Sequence, residues 1–155
     1  MIRDMRRNGA QPKDTMHKAE VAMVTGMGVV IKDSKTVALP SEETVANIYV
    51  ATKERIAKGT NAALTNMSDY HEDFVNIEAK ELIGLERYTD GEKFATDQYK
   101  AADFEAVEAA FPVAVGTDGK WMKATKASKY VCEGIHIDNG HRLIVIRVEA
   151  DAVEV

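Results

Sequence analysis

The stretch from Tyr130 to Glu149 reads YVCEGIHIDNGHRLIVIRVE. Asn139 and Gly140 tolerate the positive φ angles that a two-residue type I′ turn requires, and β-forming residues flank them on both sides. Placing this pair at the tip of a hairpin sets Ile137 opposite Arg142, Ile135 opposite Ile144, Glu133 opposite Ile146 and Val131 opposite Val148. One face is then mostly aliphatic. The other face pairs His136 with Leu143, Gly134 with Val145, Cys132 with Arg147 and Tyr130 with Glu149, and it turns polar away from the tip. The stretch is read as the closing hairpin of a mainly β domain, with its partners upstream.

Working outward, residues 113–115 and 120–124 flank Asp118-Gly119 and form a second hairpin signal, with Trp121 as its large apolar anchor. Residues 82–88 and 93–96 flank Asp90-Gly91 and predict another. Between these two, Phe104, Val107 and Phe111 recur at helical spacing, with Asp103 as N-cap and Pro112 as terminator. This spacing predicts one short helix over 103–111. Residues 74–77 and 46–52 carry β-type composition, and a single helical turn is expected at Ser41. Residues 21–39 hold two or three strands around Gly26 and Gly28, with a polar turn at 33–35. Residues 53–73 follow no period of 2 or 3.6 and are expected to form a long surface excursion.

The chain has 155 residues, 45% hydrophobic and 29% charged, which fits one domain with a real core. The fold expected is a single-domain β-barrel or sandwich built from hairpins, with one short helix and an extended N-terminal arm. The arm covers residues 1–18, where Arg3, Arg6, Arg7, Lys13 and Lys18 outnumber Asp4 and Asp14; the globular domain covers 19–155. Net charge is −5, so the body is acidic and no nucleic-acid partner is expected. No apolar run approaches the roughly 20 residues that span a bilayer, and the N-terminal stretch lacks the apolar core of a signal peptide, so no membrane partner is expected. Cys132 is the one cysteine, which forbids an intrachain disulfide, and it reads as a small buried residue.

The sequence carries no serine elbow, no HExxH, no paired cysteines and no dinucleotide or kinase fingerprint. Gly26 and Gly28 are not followed by the lysine and hydroxyl residue of a phosphate loop. Cys132 and His136 share a strand face but lie about 13 Å apart at roughly 3.3 Å per residue, too far to ligate one ion. Asp69, His71, Glu72 and Asp73 lack the glycine and terminal glutamate of a calcium loop. His136 and His141, flanking the hairpin tip, read as solvated side chains. No catalytic residue, metal or cofactor is therefore expected.

Taken together, the β-rich body, the basic arm, SDYHEDF (68–74), GEKFATDQY (91–99) and TDGKW (117–121) resemble the small structural proteins of tailed-bacteriophage heads, in particular capsid decoration or cement proteins. The resemblance runs loosely over 45–149 and rests on no catalytic or ligand motif. It implies a virion protein, made in the host cytoplasm, that binds the outer surface of a shell of major capsid protein, sometimes as a trimer, without cofactor. Charge and expected exposure, not the resemblance, select Ile2, Arg3, Met5, Arg6 and Arg7 as capsid-binding residues. On this view the arm attaches and the body folds, so the body should survive deletion of residues 1–13. A tail-tube or head-tail connector protein is the alternative structural role, and a small β-barrel hydrolase is the alternative of another class.

Overall fold

The computed structural model describes residues 1–9, 13–54 and 68–155. The fold is mainly β. Five strands close a small barrel in the order β2 (Asp14–Ala19), β5 (Thr36–Ala38), β4 (Gly28–Ile31), β6 (Tyr49–Thr52), β8 (Leu82–Glu86). A six-stranded sheet runs in the order β1 (Ile2–Arg6), β9 (Lys93–Thr96), β13 (His141–Val153), β12 (Ser128–Asp138), β10 (Phe111–Val115), β11 (Trp121–Lys123). A two-stranded ribbon of β3 (Met23–Val24) and β7 (Asn76–Ile77) accompanies them. Among the described residues the α-helix is a single turn, α1 (Glu72–Val75).

Each unit buries its own set of side chains. Inside the barrel lie Val29, Val37, Ala51, Ile83 and Leu85, joined by Met23 and Ile77 from the ribbon. The sheet packs Phe94, Trp121, Tyr130, Cys132, Ile144 and Ile146 against Ile48 and Val50, which come from the barrel side. At the seam, Gly26 holds both units through its backbone. Its N–H donates to Ala51 O at 2.8 Å, while its carbonyl accepts from Thr96 Oγ1 at 3.0 Å and Trp121 Nε1 at 3.3 Å. Its φ of +98° is in the region where only glycine is unstrained, and a Cβ there would meet Thr96 Oγ1 at 2.4 Å and Met1 O at 2.5 Å.

The closing hairpin has the expected register from its tip, Asp138 opposite His141, down to Gly134 opposite Val145. Below that the register shifts by one, so Cys132 faces Ile146 and Tyr130 faces Val148, in place of Arg147 and Glu149. Glu133 is the extra residue. A regular ladder would set its carboxylate opposite Ile146 in the core, where an unpaired charge is costly. The bulge turns it instead toward Lys93 Nζ and Arg147 Nη1, each at 2.5 Å. The same step brings Tyr130 and Cys132 onto the buried face with Ile144, Ile146 and Val148.

Other expectations are met or revised locally. β10 and β11 form the hairpin around Asp118-Gly119, with Val115 opposite Trp121, and β4 and β5 pair across the 33–35 turn. The Asp90-Gly91 turn does not close a hairpin: β8 belongs to the barrel and β9 to the sheet, so this turn is the crossover between units. No helix spans 103–111. A 3₁₀ turn covers Ala101–Phe104, Asp103 accepts from Lys123 N at 3.0 Å, and Arg142 Nη2 takes the carbonyls of Phe104 and Glu105 that a helix would have used internally. Phe111 then opens β10 opposite Cys132. Residues 74–77 split between α1 and β7 rather than forming one strand, and Ser41 lies in a bend. Of the 53–73 excursion, residues 55–67 fall outside the described residues.

The N-terminal segment is extended but built into the fold. β1 pairs with β9, Ile2 opposite Thr96 and Arg3 opposite Ala95, and Met1 is buried. β2 is a barrel strand that pairs with β5 and β8, so the expected boundary between residues 18 and 19 falls inside a strand. Removing residues 1–13 takes away an entire sheet strand. We therefore expect that deletion to lose cooperative melting by circular dichroism, contrary to the sequence-based expectation.

Two substitutions test the packing. Ile144→Asp places an unpaired carboxylate in a fully buried position and should cost on the order of 4 kcal/mol or more, read as loss of the folded baseline. Gly26→Ala should cost about 2 kcal/mol or more from φ strain and the two close contacts, measured by urea unfolding. A parent-like midpoint for either variant contradicts this packing.

Candidate docking surface

The five N-terminal residues singled out by charge are placed very differently from one another. Ile2 packs half-buried against the sheet core. Arg3 reaches across the sheet end, its Nη2 2.8 Å from Asp69 and its Nε 2.8 Å from Asp138 at the hairpin tip. Arg7 lies 4.2 Å over the Tyr88 ring and 3.7 Å from the buried Glu92. Met5 is 42% exposed and Arg6 is exposed, and among the described residues Arg6 has no ion-pair partner. Arg3 and Arg7 thus tie the segment to its own protein, while Met5 and Arg6, beside the exposed Asp4, are what β1 presents outward.

Two polar networks do the tying, and each joins residues far apart in the chain. At the hairpin tip, the Tyr70 hydroxyl donates to Asp138 Oδ2 at 2.9 Å and its ring stacks on His141, centroids 3.7 Å apart and 11° from parallel. Bonds from Arg3 and Tyr70 hold the Asp138 carboxyl below the usual carboxylate range, and burial beside Asp138 pushes the Tyr70 hydroxyl up. At the other end of β1, the Tyr88 hydroxyl sits between Asp4 Oδ1 (2.5 Å) and Glu86 Oε2 (2.9 Å), and Lys13 Nζ pairs with Glu86 Oε1 at 2.6 Å. Glu92 accepts from the N–H groups of Asn8 and Thr89 at 2.9 and 2.7 Å. Burial opposes its charge, yet these bonds and Arg7 keep its carboxyl below the ordinary range.

The remaining chemical candidates are also placed by the fold. Cys132 is buried in the sheet core, and desolvation pushes its thiol up to about 11, far from the thiolate a nucleophile needs. In the 69–73 cluster, Asp69 pairs with Arg3, and His71 Nδ1 caps α1 by accepting from Asp73 N at 3.3 Å. Among the described residues no group of three or more His, Cys, Asp or Glu side chains is placed to hold a metal. A groove of about 570 Å³ opens on the barrel wall over Thr52, Leu82 and Gly84, between Lys13 and Lys53. Leu82 is 59% exposed opposite Lys18, two residues from Met16 at 78%, so the barrel also shows apolar side chains among lysines.

Tyr70, Asp138, Glu86, Tyr88 and Glu92 were not singled out from sequence. Beside local bonds such as Tyr88 to Glu86, each has a partner tens of residues away, and no local spacing marks an ion pair made across a sheet. Comparison with protein-family models, with curated proteins and with solved structures finds no match to this chain.

The pairing separates the arginines experimentally. Arg3→Ala should lower the melting temperature at neutral pH, whereas Arg6→Ala should leave it unchanged. Because the folded Asp138 carboxyl is held below its ordinary value, its contribution is complete above the unfolded pKa of about 3.9 and is lost as pH falls through the lower folded value. The gap between parent and Arg3→Ala should therefore close on acidification below about pH 4. A gap that persists there refutes the pairing.

Proposed function

We propose that this chain is a non-enzymatic structural protein of a tailed-phage virion, which binds the outer surface of the capsid shell and stabilises it. The observation that carries this reading is the outward display of Met5 and Arg6 on a strand locked into the six-stranded sheet. An apolar and a cationic side chain held on a rigid strand can dock without first ordering a loose tail, which spares much of the entropy that a tail loses on binding. The buried Cys132 thiol and the carboxylates engaged with Arg3, Arg7 and Lys13 fit a protein whose ionisable groups serve its architecture. The partner is the major capsid protein, whose lattice repeats each weak contact many times. Assembly of the chain into a homo-oligomer such as a trimer on that lattice is part of the proposal.

Co-sedimentation with expanded empty shells of the major capsid protein tests it. The parent should pellet with shells and raise their melting temperature. Arg6→Glu should weaken binding while leaving the fold intact, and binding should fall as salt rises above physiological strength. Protein that stays in the supernatant with intact shells at low salt overturns the proposal.

A further inference from the structure

β1 ends the six-stranded sheet, with β9 as its one strand partner among the described residues. In an antiparallel pair, the N–H and C=O of one residue point to the same side, and successive residues alternate. Met1 O accepts from Asp97 N, and Arg3 lies opposite Ala95, so Met1 and Arg3 turn their backbone groups to β9. Ile2 and Asp4 therefore turn theirs outward. No described residue supplies a backbone hydrogen bond to that outer side. Asp4, Met5 and Arg6 are all exposed there.

Such an edge can accept a further strand, and the side chains decide which. A second copy is disfavoured. Antiparallel self-pairing through the outward groups sets Asp4 against Asp4, or Ile2 against Asp4 with Arg3 against Arg3, and like charges directly opposite are destabilising. The exposed Arg6 cation and the Met5 thioether select a different occupant, one with a carboxylate and an apolar residue in reach of them. We propose that β1 is a strand-addition site, and that its occupant is an extended segment of the shell protein whose acidic side chain pairs with Arg6. This rests on the capsid reading and specifies how the contact is made.

The test uses the full chain and expanded empty shells. Hydrogen–deuterium exchange read at single amides should show the Asp4 amide exchanging faster than that of Arg3 in free protein, and slowing on shells. Asp4→Pro removes the outward N–H, a change that edge strands tolerate, while Asp4→Asn keeps it and keeps an oxygen for Tyr88. Asp4→Pro should bind shells about tenfold more weakly than Asp4→Asn, equivalent to about 1.4 kcal/mol. Should the proline variant fail to fold, the exchange measurement on the parent decides alone. If the parent binds shells but the Asp4 amide is already protected when free, or does not slow when bound, strand addition is overturned and the capsid reading stands. Equal binding by two folded variants has the same meaning. A parent that does not bind shells overturns both.

Discussion

Gly26 carries the backbone contacts that make one body of two β-units. The barrel and the sheet have separate cores, and a glycine that bonds Ala51 on one side and Thr96 and Trp121 on the other leaves them little freedom to rotate apart. Gly28 N donating to Gly119 O, and Thr44 and Val115 exchanging backbone bonds, all at 2.9 Å, extend the seam. Indole N–H and threonine hydroxyl groups buried at such a place would each be costly unpaired, so the Gly26 carbonyl both satisfies them and sets where the sheet stands.

The N-terminal segment shows how charge count and charge use differ. Arg3, Arg6 and Arg7 look equivalent in a basic run. In the fold, Arg3 joins the hairpin tip and Arg7 covers Tyr88 near Glu92, while Arg6 points away. The partly exposed pairs of Arg3 contribute roughly 0 to 1 kcal/mol each, whereas Arg7 stands beside the buried Glu92, where loss of a partner is costlier. Together with the β1–β9 ladder and the buried Met1, they make the segment part of the domain.

What could be read from sequence depended on how local the cause was. Asn139-Gly140 and Asp118-Gly119 are turns whose strands pair with each other, so turn chemistry gave both hairpins. Asp90-Gly91 carries the same turn signal, yet its flanking strands find other partners, because pairing is decided by the sheets and not by the turn. The bulge at Glu133 could have been suspected from a carboxylate predicted to face Ile146, but its ion partners Lys93 and Arg147 come from two different strands. The 103–111 pattern failed for a similar reason: Phe104 and Phe111 are buried by separate elements, and helical spacing between them is incidental. At the candidate docking surface, composition located the basic segment, whereas the division of labour among its arginines depends on Asp69, Asp138 and Glu92, which no spacing rule connects to them.

A short, charged and bulged edge strand is also what proteins use to discourage unwanted pairing. The register shift between Asp4 and Arg6 twists the end of β1 away from a regular ladder, and the outward groups amount to Ile2 and Asp4. These features bear unequally on different partners. Against a second copy, Asp4 and Arg3 meet their own likeness; against a strand bearing an opposing carboxylate, Arg6 changes from an obstacle to an attraction. An edge that is poor for self-pairing and adequate for one chosen partner gives low affinity per contact with good discrimination. If the partner is the proposed repeating shell, that combination is useful, because the lattice would multiply weak contacts while the β1 edges of two free copies would not pair with each other.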